Sequence, residues 1–283
     1  MKKIKNNHYI RLFIVIFALL LAFITYKYKQ NKKNDIYIPV LMYHNIEPNP
    51  EFKKITYTIK PELFESHMKA LKEKGYNTIT VTELNDFIKN KKELPKKPIL
   101  ITLDDGKTNN YEYAYPVLKK LNMKGNMFVI THTAEEHKNE QYLDWNRLKE
   151  MYDSGVMDIQ GHTYNLHHKI DNDPVIFNKL YRESEDEYKE RILNDFKLSK
   201  QLIEDNIGNK VISLAYPYGE YDDEIEEIAK QAGYQQTYST DTGIMSKKDS
   251  PYLVKRINID GLCSTRRLIF EIEALKILKS IFH

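Results

Sequence analysis

Residues 98–106 read Pro98-Ile99-Leu100-Ile101-Thr102-Leu103-Asp104-Asp105-Gly106, an apolar run that ends in two carboxylates and a glycine. A short apolar run bounded by proline and glycine is typical of a strand buried in a parallel sheet. Two later strand-like runs also end in polar motifs, at Gly161-His162 and at Tyr216-Pro217-Tyr218-Gly219. The carboxyl ends of parallel barrel strands share one face, where sites are built. We therefore expect the three motifs to lie close together.

Strand-like and helix-like segments alternate from residue 36 onward. The strands are predicted at residues 36–42, 78–81, 98–103, 126–130, 156–160, 211–215 and 236–239. The helices are predicted at residues 61–74, 82–91, 113–121, 145–152, 188–207 and 222–232, and from 265 onward. Strands that alternate with helices of this length predict a parallel α/β architecture.

Residues 12–26 contain no charged side chain. A membrane-spanning helix usually needs roughly 17–25 residues, and the run approaches that length only if Arg11 reaches back to the interface. The alternative is the core of a signal peptide, but Lys27 follows directly and no cleavage site of small residues is seen. We therefore predict a basic tail at 1–11, a transmembrane anchor or uncleaved signal at 12–26, an exposed linker at 27–36 and one large domain at 37–283.

The net charge of +3 is unevenly distributed along the chain. Residues 1–35 carry eight lysines and arginines against one aspartate, a net of +7, which leaves −4 for the remainder. A mildly acidic domain argues against a nucleic-acid partner. The single cysteine, Cys263, cannot form an internal disulfide.

The motifs contain the side chains that a divalent metal site needs. One aspartate with two histidines is a common ligand set that leaves positions open for water and substrate. His162 and His167 are five residues apart, so a loop rather than a regular helix would have to fold both rings towards one metal. Asp104 and Asp105 point to opposite sides of an extended chain unless Gly106 allows a turn. One aspartate would bind metal while the other takes a proton from water, and the spacing leaves open which.

These motifs resemble those of the polysaccharide deacetylase family, the NodB-homology domain of carbohydrate esterases, over roughly residues 38–265. Thr102-Leu103-Asp104-Asp105-Gly106 resembles the family's first motif, and His162-Thr163-Tyr164-Asn165-Leu166-His167 its second. The second motif is one residue longer than usual, which is similar to the branch that deacetylates poly-N-acetylglucosamine exopolysaccharide. Tyr216-Pro217-Tyr218-Gly219 resembles the third motif, and Leu143-Asp144-Trp145 the fourth.

The resemblance implies a distorted (β/α) barrel of about seven parallel strands, which would follow the N-terminal membrane-anchoring helix predicted from the apolar run at 12–26. It implies a metal-dependent hydrolase that removes N-acetyl groups from N-acetylglucosamine units of a cell-surface polysaccharide, an exopolysaccharide or peptidoglycan, and releases acetate. The domain would lie outside the cell on a single-pass anchor, or be secreted if the segment is cleaved. The divalent metal is expected to be zinc, with cobalt, nickel or iron as alternatives.

The family's residue roles carry over to matching positions of this chain. Asp104 is implied as the general base, and Asp105, His162 and His167 as the metal ligands. His168 competes with His167 for the second histidine position.

The third and fourth motifs imply residues that meet the substrate. The backbone N–H of Tyr218 is implied as an oxyanion donor, and Tyr216, Pro217 and Trp145 as substrate-binding residues. A plain core anchor is the alternative interpretation of Trp145.

Two features of the family have no counterpart at the matching positions. They are the arginine that usually orients the base and the histidine motif that carries the general acid; residues 256–260 lie where the latter is expected. A water on the metal or His44, which follows the first predicted strand, is then a candidate proton donor. The gaps keep two alternatives open: a polysaccharide O-acetyl esterase, whose alcohol leaving group needs less protonation, and a catalytically weak carbohydrate-binding relative.

Overall fold

The computed structural model describes residues 9–19, 22–23, 26, 36–136 and 140–282. Its strands are β1 Tyr37–Tyr43, β2 Asn45–Ile46, β3 Thr58–Ile59, β4 Asn77–Thr78, β5 Pro98–Asp105, β6 Gly125–Val129, β7 Met157–Gly161, β8 Lys169–Ile170, β9 Asp173–Pro174, β10 Ser213–Ala215, β11 Gln236–Thr242, β12 Ile244–Ser246 and β13 Val254–Asn258. Its helices are α1 Pro61–Glu73, α2 Val81–Ile88, α3 Tyr115–Lys120, α4 Thr131–Glu136, α5 Trp145–Asp153, α6 Glu185–Ile207, α7 Asp223–Gln231 and α8 Thr265–Phe282. Short turns of other helix types occupy Phe52–Lys54, Asn110–Ala114 and Pro217–Gly219.

Seven parallel strands form a closed barrel in the order β1-β5-β6-β7-β10-β11-β13, with β13 pairing back to β1. The short β4 pairs with the first two residues of β5, and β12 runs antiparallel beside the first half of β1. The central strands are buried along almost their whole length, as expected where side chains fill the interior and helices cover the outside. The predicted barrel of about seven parallel strands is confirmed.

One of the strands predicted for the barrel is wrong. The strand predicted at residues 78–81 overlaps β4 only at Thr78, because β4 ends there and α2 begins at Val81, and β4 is not one of the seven barrel strands. The Thr80 side chain accepts the N–H of Glu83, and the Glu83 carboxylate accepts the N–H of Thr80, a capping box that fixes the start of the helix. The seventh barrel strand is instead β13, which the sequence pattern did not predict because two consecutive charged residues interrupt it.

Helix α2 closes the amino-terminal end of the barrel. Its side chains Val81, Leu84 and Phe87 belong to one buried cluster with strand residues such as Leu100 and Tyr238. A second, larger buried cluster joins the strands to the surrounding helices. The apolar plug occupies one end of the barrel, so the carboxyl ends of the strands form the other, polar end.

The predicted N-terminal segments lie mostly outside the described residues. Residues 1–8 and 27–35 are not described, nor are four positions within the predicted anchor at 12–26. Residues 9–19 are helical and exposed. Within the described part of the chain, no helix is both long and apolar enough to cross a membrane. The basic tail, the anchor and the linker stay predictions.

Candidate active site

The three sequence motifs meet in one cavity of about 370 Å³ at the carboxyl ends of the barrel strands. The cavity is lined by His44, Asn45, Tyr57, Asp104, Asp105, Lys107, His162, His167, Tyr216, Tyr218, Gly219 and Thr240. A larger cavity of about 550 Å³, between β12, β13 and α8, has no histidine among the described residues that line it. The titratable residues therefore mark the smaller cavity as the candidate active site.

The Asp-Asp-Gly turn brings both carboxylates to this cavity. Asp105 itself takes a left-handed backbone conformation, with φ of 78°, and Gly106 follows at 72°. A non-glycine residue in this region is uncommon and costs backbone energy, so its presence at a site is informative. The predicted turn exists, and it begins one residue before the glycine.

Asp105, His162 and His167 form a cluster that suits a divalent metal. Asp105 Oδ1 lies 3.5 Å from His162 Nε2 and 3.5 Å from His167 Nε2. The three ligand atoms lie within 4.8 Å of one another. Asp105 Oδ1 is buried and has no hydrogen-bond partner, an unsatisfied acceptor that a cation would satisfy. His168 is exposed and lies outside the cluster, so the structure brings His167 and not His168 to Asp105.

His162 is oriented for metal binding, and the protonation of His167 and Asp105 also suits it. Burial alone would lower the pKa of His162, but the neighbouring Asp105 and Asp104 raise it. His162 Nδ1 lies 2.7 Å from the carbonyl oxygen of Ala215, so it donates there and turns Nε2 towards Asp105. Burial, reinforced by the neighbouring His162, lowers the pKa of His167 to about 4. Burial alone would raise the pKa of Asp105, but the adjacent His162 and the charges of the other nearby histidines hold it far below its usual range. A neutral imidazole and an ionised carboxylate are the forms that bind metal.

Asp104 is held by a buried arginine from β13. Arg256 Nη1 donates to Asp104 Oδ1 at 2.8 Å, and the two side chains are 0% and 2% exposed. Arg256 Nε also donates to the carbonyl oxygen of Ser239 at 2.8 Å. Burial alone would raise the pKa of Asp104, but the guanidinium lowers it, so the carboxylate stays ionised. Sequence reasoning missed this arginine because the family's motif places it on another strand.

A family model described as polysaccharide deacetylase matches residues 91–237 of this chain. The chain belongs to the polysaccharide deacetylase family. It is an enzyme of the de-N-acetylase type, and its barrel carries the family's strand-end motifs on the face where they meet.

Relatives and solved structures agree with this assignment. A candidate polysaccharide deacetylase of Bacillus subtilis (strain 168), YxkH, is 30% identical over 239 residues, which are 84% of this chain and 77% of the relative. The poly-beta-1,6-N-acetyl-D-glucosamine N-deacetylase of Staphylococcus aureus (strain MSSA476) is 31% identical over 205 residues, 72% of this chain and 68% of the relative. The structure of a de-N-acetylase from Aggregatibacter actinomycetemcomitans matches with a TM-score of 0.74 at 27% identity, covering 83% of this chain and 100% of that one.

The third motif of the deacetylase forms a strained turn beside the cluster of candidate metal ligands, Asp105, His162 and His167. Tyr218 is left-handed, with φ of 59°, and Gly219 follows at 75°. The Tyr218 ring lies 4.6 Å from the His167 ring, and 38% of this tyrosine is exposed. Tyr216 is 1% exposed and donates its hydroxyl to Glu226 at 2.9 Å, while Pro217 is buried. Of this motif, Tyr218 therefore presents the most accessible side chain to a ligand.

Trp145 starts helix α5 of the deacetylase, directly after its N-cap residue Asp144. It is half-buried and packs against the larger buried cluster. Within the described chain it is not among the residues that line the catalytic cavity. Its segment is nevertheless tied to the first motif, because the N–H of Leu143 donates to the carbonyl oxygen of Gly106 at 2.9 Å.

His44 lies at the cavity of the deacetylase, immediately after β1. Its Nδ1 atom is buried and has no hydrogen-bond partner in the structure. Its charge is one of the influences that lower the pKa of both Asp104 and Asp105, so it faces the carboxylates. An imidazole that lines the cavity beside the base is positioned to exchange a proton with a substrate.

Proposed function

We propose that this enzyme is a metal-dependent deacetylase that removes N-acetyl groups from N-acetylglucosamine units of a cell-surface polysaccharide and releases acetate. The observation that carries the proposal is the Asp105-His162-His167 cluster beside the buried Asp104–Arg256 pair. The name of the Staphylococcus aureus relative, a poly-beta-1,6-N-acetyl-D-glucosamine N-deacetylase, supports a β-1,6-linked polymer. We also propose that the domain acts outside the cell on the predicted membrane anchor.

The metal is proposed to be divalent and held by Asp105, His162 and His167. Two imidazoles and one carboxylate accept zinc first among common ions, and also cobalt, nickel or iron. A bound ion would polarise the acetamide carbonyl and activate a water molecule.

Asp104 is the general base. Arg256 holds its Oδ1 atom, so we assign proton uptake from the attacking water to Oδ2. The same pairing keeps the carboxylate ionised and fixes its rotamer, which is what a base needs before the substrate arrives.

The Tyr218 turn stabilises the negative charge that develops on the carbonyl oxygen. Its left-handed backbone sits at the cavity, close to His167. A backbone N–H aimed at a developing oxyanion is a large catalytic contribution because it needs no reorganisation during the reaction. The C–N bond then breaks, and His44 gives a proton to the leaving amine.

The first test is acetate release from β-1,6-linked N-acetylglucosamine oligomers by the full chain. Chelator-treated protein should release none, and zinc, cobalt or nickel should restore release. Asp105→Ala and His167→Ala should each lose bound zinc and slow acetate release by at least about 100-fold. Even mutation of residues that only hydrogen-bond to metal ligands typically reduces metal affinity or activity by 10–100-fold. His168→Ala is the matched control, because that exposed neighbour lies outside the cluster.

Other outcomes of this experiment would favour the alternatives. Folded protein that binds the oligomers but releases nothing with any metal would support the carbohydrate-binding relative, which the Asp104–Arg256 pair now argues against. Release from O-acetylated polymer alone would support the esterase. Release unaffected by chelation and by Asp105→Ala would contradict the proposed metal.

The role of His44 is tested by changing the leaving group. His44→Asn should slow amide hydrolysis by roughly 10²–10³-fold, because an amine must be protonated to leave. It should change hydrolysis of an aryl acetate by only a few-fold, because a phenolate leaves without a proton. Asp104→Asn should slow both reactions. Equal losses for both substrates in His44→Asn would show that His44 is not the acid.

A further inference from the structure

The barrel end opposite the active site carries a concentration of lysines, here called the basic face. It comprises the loop at residues 89–97 and the chain around the starts of neighbouring strands. Its lysines are Lys74, Lys89, Lys91, Lys92, Lys96, Lys97, Lys124, Lys210, Lys247 and Lys248.

Contacts across the barrel end place these residues on one face. Helix α2 crosses that end, and Lys89 at its terminus donates to Gln235, which precedes β11. Lys97 donates to the carbonyl oxygen of Lys74, before β4. Lys247, after β12, lies 4.4 Å from the Phe87 ring of α2. Lys124 and Lys210 precede the parallel strands β6 and β10, whose starts lie at the same end. The lysines of five chain segments are thus gathered at this end of the barrel.

Acidic residues neutralise part of this charge. The loop at residues 89–97 contains five lysines and one glutamate, a net charge of +4. Glu83 pairs with Lys92 at 3.4 Å and with Lys124 at 2.9 Å. The opposite end differs, because carboxylates such as Glu112, Glu140 and Asp144 line the cavities next to the catalytic one. An otherwise mildly acidic domain therefore has one strongly cationic end.

The chain enters the barrel at this same end. Tyr37, the first residue of β1, is opposite Ser246, next to Lys247. Ile36, Ile88 and Leu94 all pack against the same interior cluster, so the start of the domain lies at the end of the barrel that also holds α2 and the basic loop. The apolar run at 12–26 precedes it by nine residues, four of them lysines.

We propose that the basic face docks on an anionic lipid bilayer. The inference rests on the proposed function in one respect, the N-terminal anchor in the bilayer. It goes beyond that function because the basic face of the domain makes a second contact with the same bilayer. Lysines near an anionic membrane each strengthen binding by roughly fivefold, and the effect decays within a Debye length. Docking by this end turns the catalytic cavity away from the bilayer, towards polymer outside it.

The test uses the full chain with a fluorophore at Glu93→Cys in the basic loop, or at Glu140→Cys on the catalytic side. The native Cys263 is buried, so the label goes to the new position. Vesicles contain headgroup-nitroxide lipid as quencher, in phosphatidylcholine alone or with about 30% phosphatidylglycerol, at about 0.1 M salt. Glu93→Cys should be quenched on anionic vesicles only, and Glu140→Cys on neither.

Charge reversal supplies the matched pair of variants. Lys91→Glu/Lys96→Glu/Lys210→Glu should raise the anionic lipid concentration for half-maximal quenching at least about tenfold. Lys53→Glu/Lys60→Glu/Lys197→Glu makes the same charge change at exposed positions away from the basic face and should leave quenching unchanged.

Four results would overturn the proposal. One is equal quenching of the Glu93→Cys label on both kinds of vesicle, and another is equal quenching in both triple variants. The third is a chain that associates with vesicles without quenching at this position, which keeps the anchor and removes the docking. A chain that stays off both vesicles would overturn anchor and docking together, whereas acetate release in solution tests the deacetylase alone.

Discussion

Arg256 and Asp104 place two opposite charges inside the barrel with almost no exposure to solvent. Removing one partner of such a pair leaves the other charge buried and unpaired, which typically costs about 3–5 kcal/mol. Arg256→Gln should therefore lower the free energy of unfolding by about that amount and acetate release by roughly 10²-fold or more, since the base loses its orientation. Denaturant unfolding and an acetate assay measure the two effects.

A second substitution separates stability from catalysis in this pair. Arg256→Gln/Asp104→Asn removes both charges, so most of the lost stability should return while activity stays absent. Arg256→Lys keeps the charge but loses the planar fork that bonds Asp104 and Ser239 together, so it should fall between wild type and Arg256→Gln. A stable, active Arg256→Gln protein would contradict the assigned role.

The strand-end motifs could be predicted from the sequence because their local patterns are strong. Asp104, Asp105, His162, His167 and Tyr218 all line the cavity where parallel strands end. Their meeting point follows from the parallel α/β architecture that the alternation of strands and helices predicts, and the family resemblance implied that this architecture is a barrel.

The residues that were missed depend on pairing between distant parts of the chain. Arg256 lies on β13, whose charged residues hide its strand pattern, and its partner is 152 positions away along the chain. Residues 78–81 look like a strand because of their β-branched side chains, yet the capping box at Thr80 starts a helix there. The capping box is a local signal in the sequence, and packing of α2 into the barrel end adds a tertiary contribution that favours the helix.

The Tyr216–Gly219 turn depends on a glycine for two reasons. Gly219 is left-handed, and a Cβ added there would overlap the side chain of Thr240. Gly208, which ends α6, has φ of 83° with nothing within 4 Å of an added Cβ, so it isolates the cost of the backbone alone. Gly208→Ala should cost about 1 kcal/mol of stability. Gly219→Ala should cost a further 1–3 kcal/mol, roughly, from overpacking, and should reduce acetate release because the turn carries Tyr218.

Chemical denaturation of the two glycine variants side by side measures this difference. Thr240→Gly combined with Gly219→Ala should recover part of the overpacking cost but none of the backbone cost. Equal destabilisation by Gly208→Ala and Gly219→Ala would mean that the turn moves away from Thr240 without penalty.

At the scale of the whole molecule, one carboxylate links the pH dependence of stability to the active site. Asp195, on α6, accepts the N–H groups of Tyr164 and Asn165, both at 2.8 Å, and so holds the loop that ends at His167. Burial raises the pKa of Asp195 from 3.8 to about 6. The folded protein therefore binds more protons than the unfolded chain between these values, and the free energy of unfolding falls as pH rises through this window.

Asp195→Asn should increase stability at neutral pH relative to wild type and decrease the rate of acetate release. The amide cannot titrate, so the stability of the variant relative to wild type should rise by on the order of 2 kcal/mol from pH 4 to pH 7. Its single carbonyl oxygen cannot replace both carboxylate acceptors, so His167 should be held less firmly and acetate release should fall several-fold at pH 7. Asp205→Asn, at an exposed position of the same helix, is the matched control for unfolding curves across pH. If the free energies of unfolding of wild type and Asp195→Asn differed by the same amount at every pH, the Asp195 carboxylate would be ionised throughout. Its hydrogen bonds to the loop would then not reduce the stability of the protein.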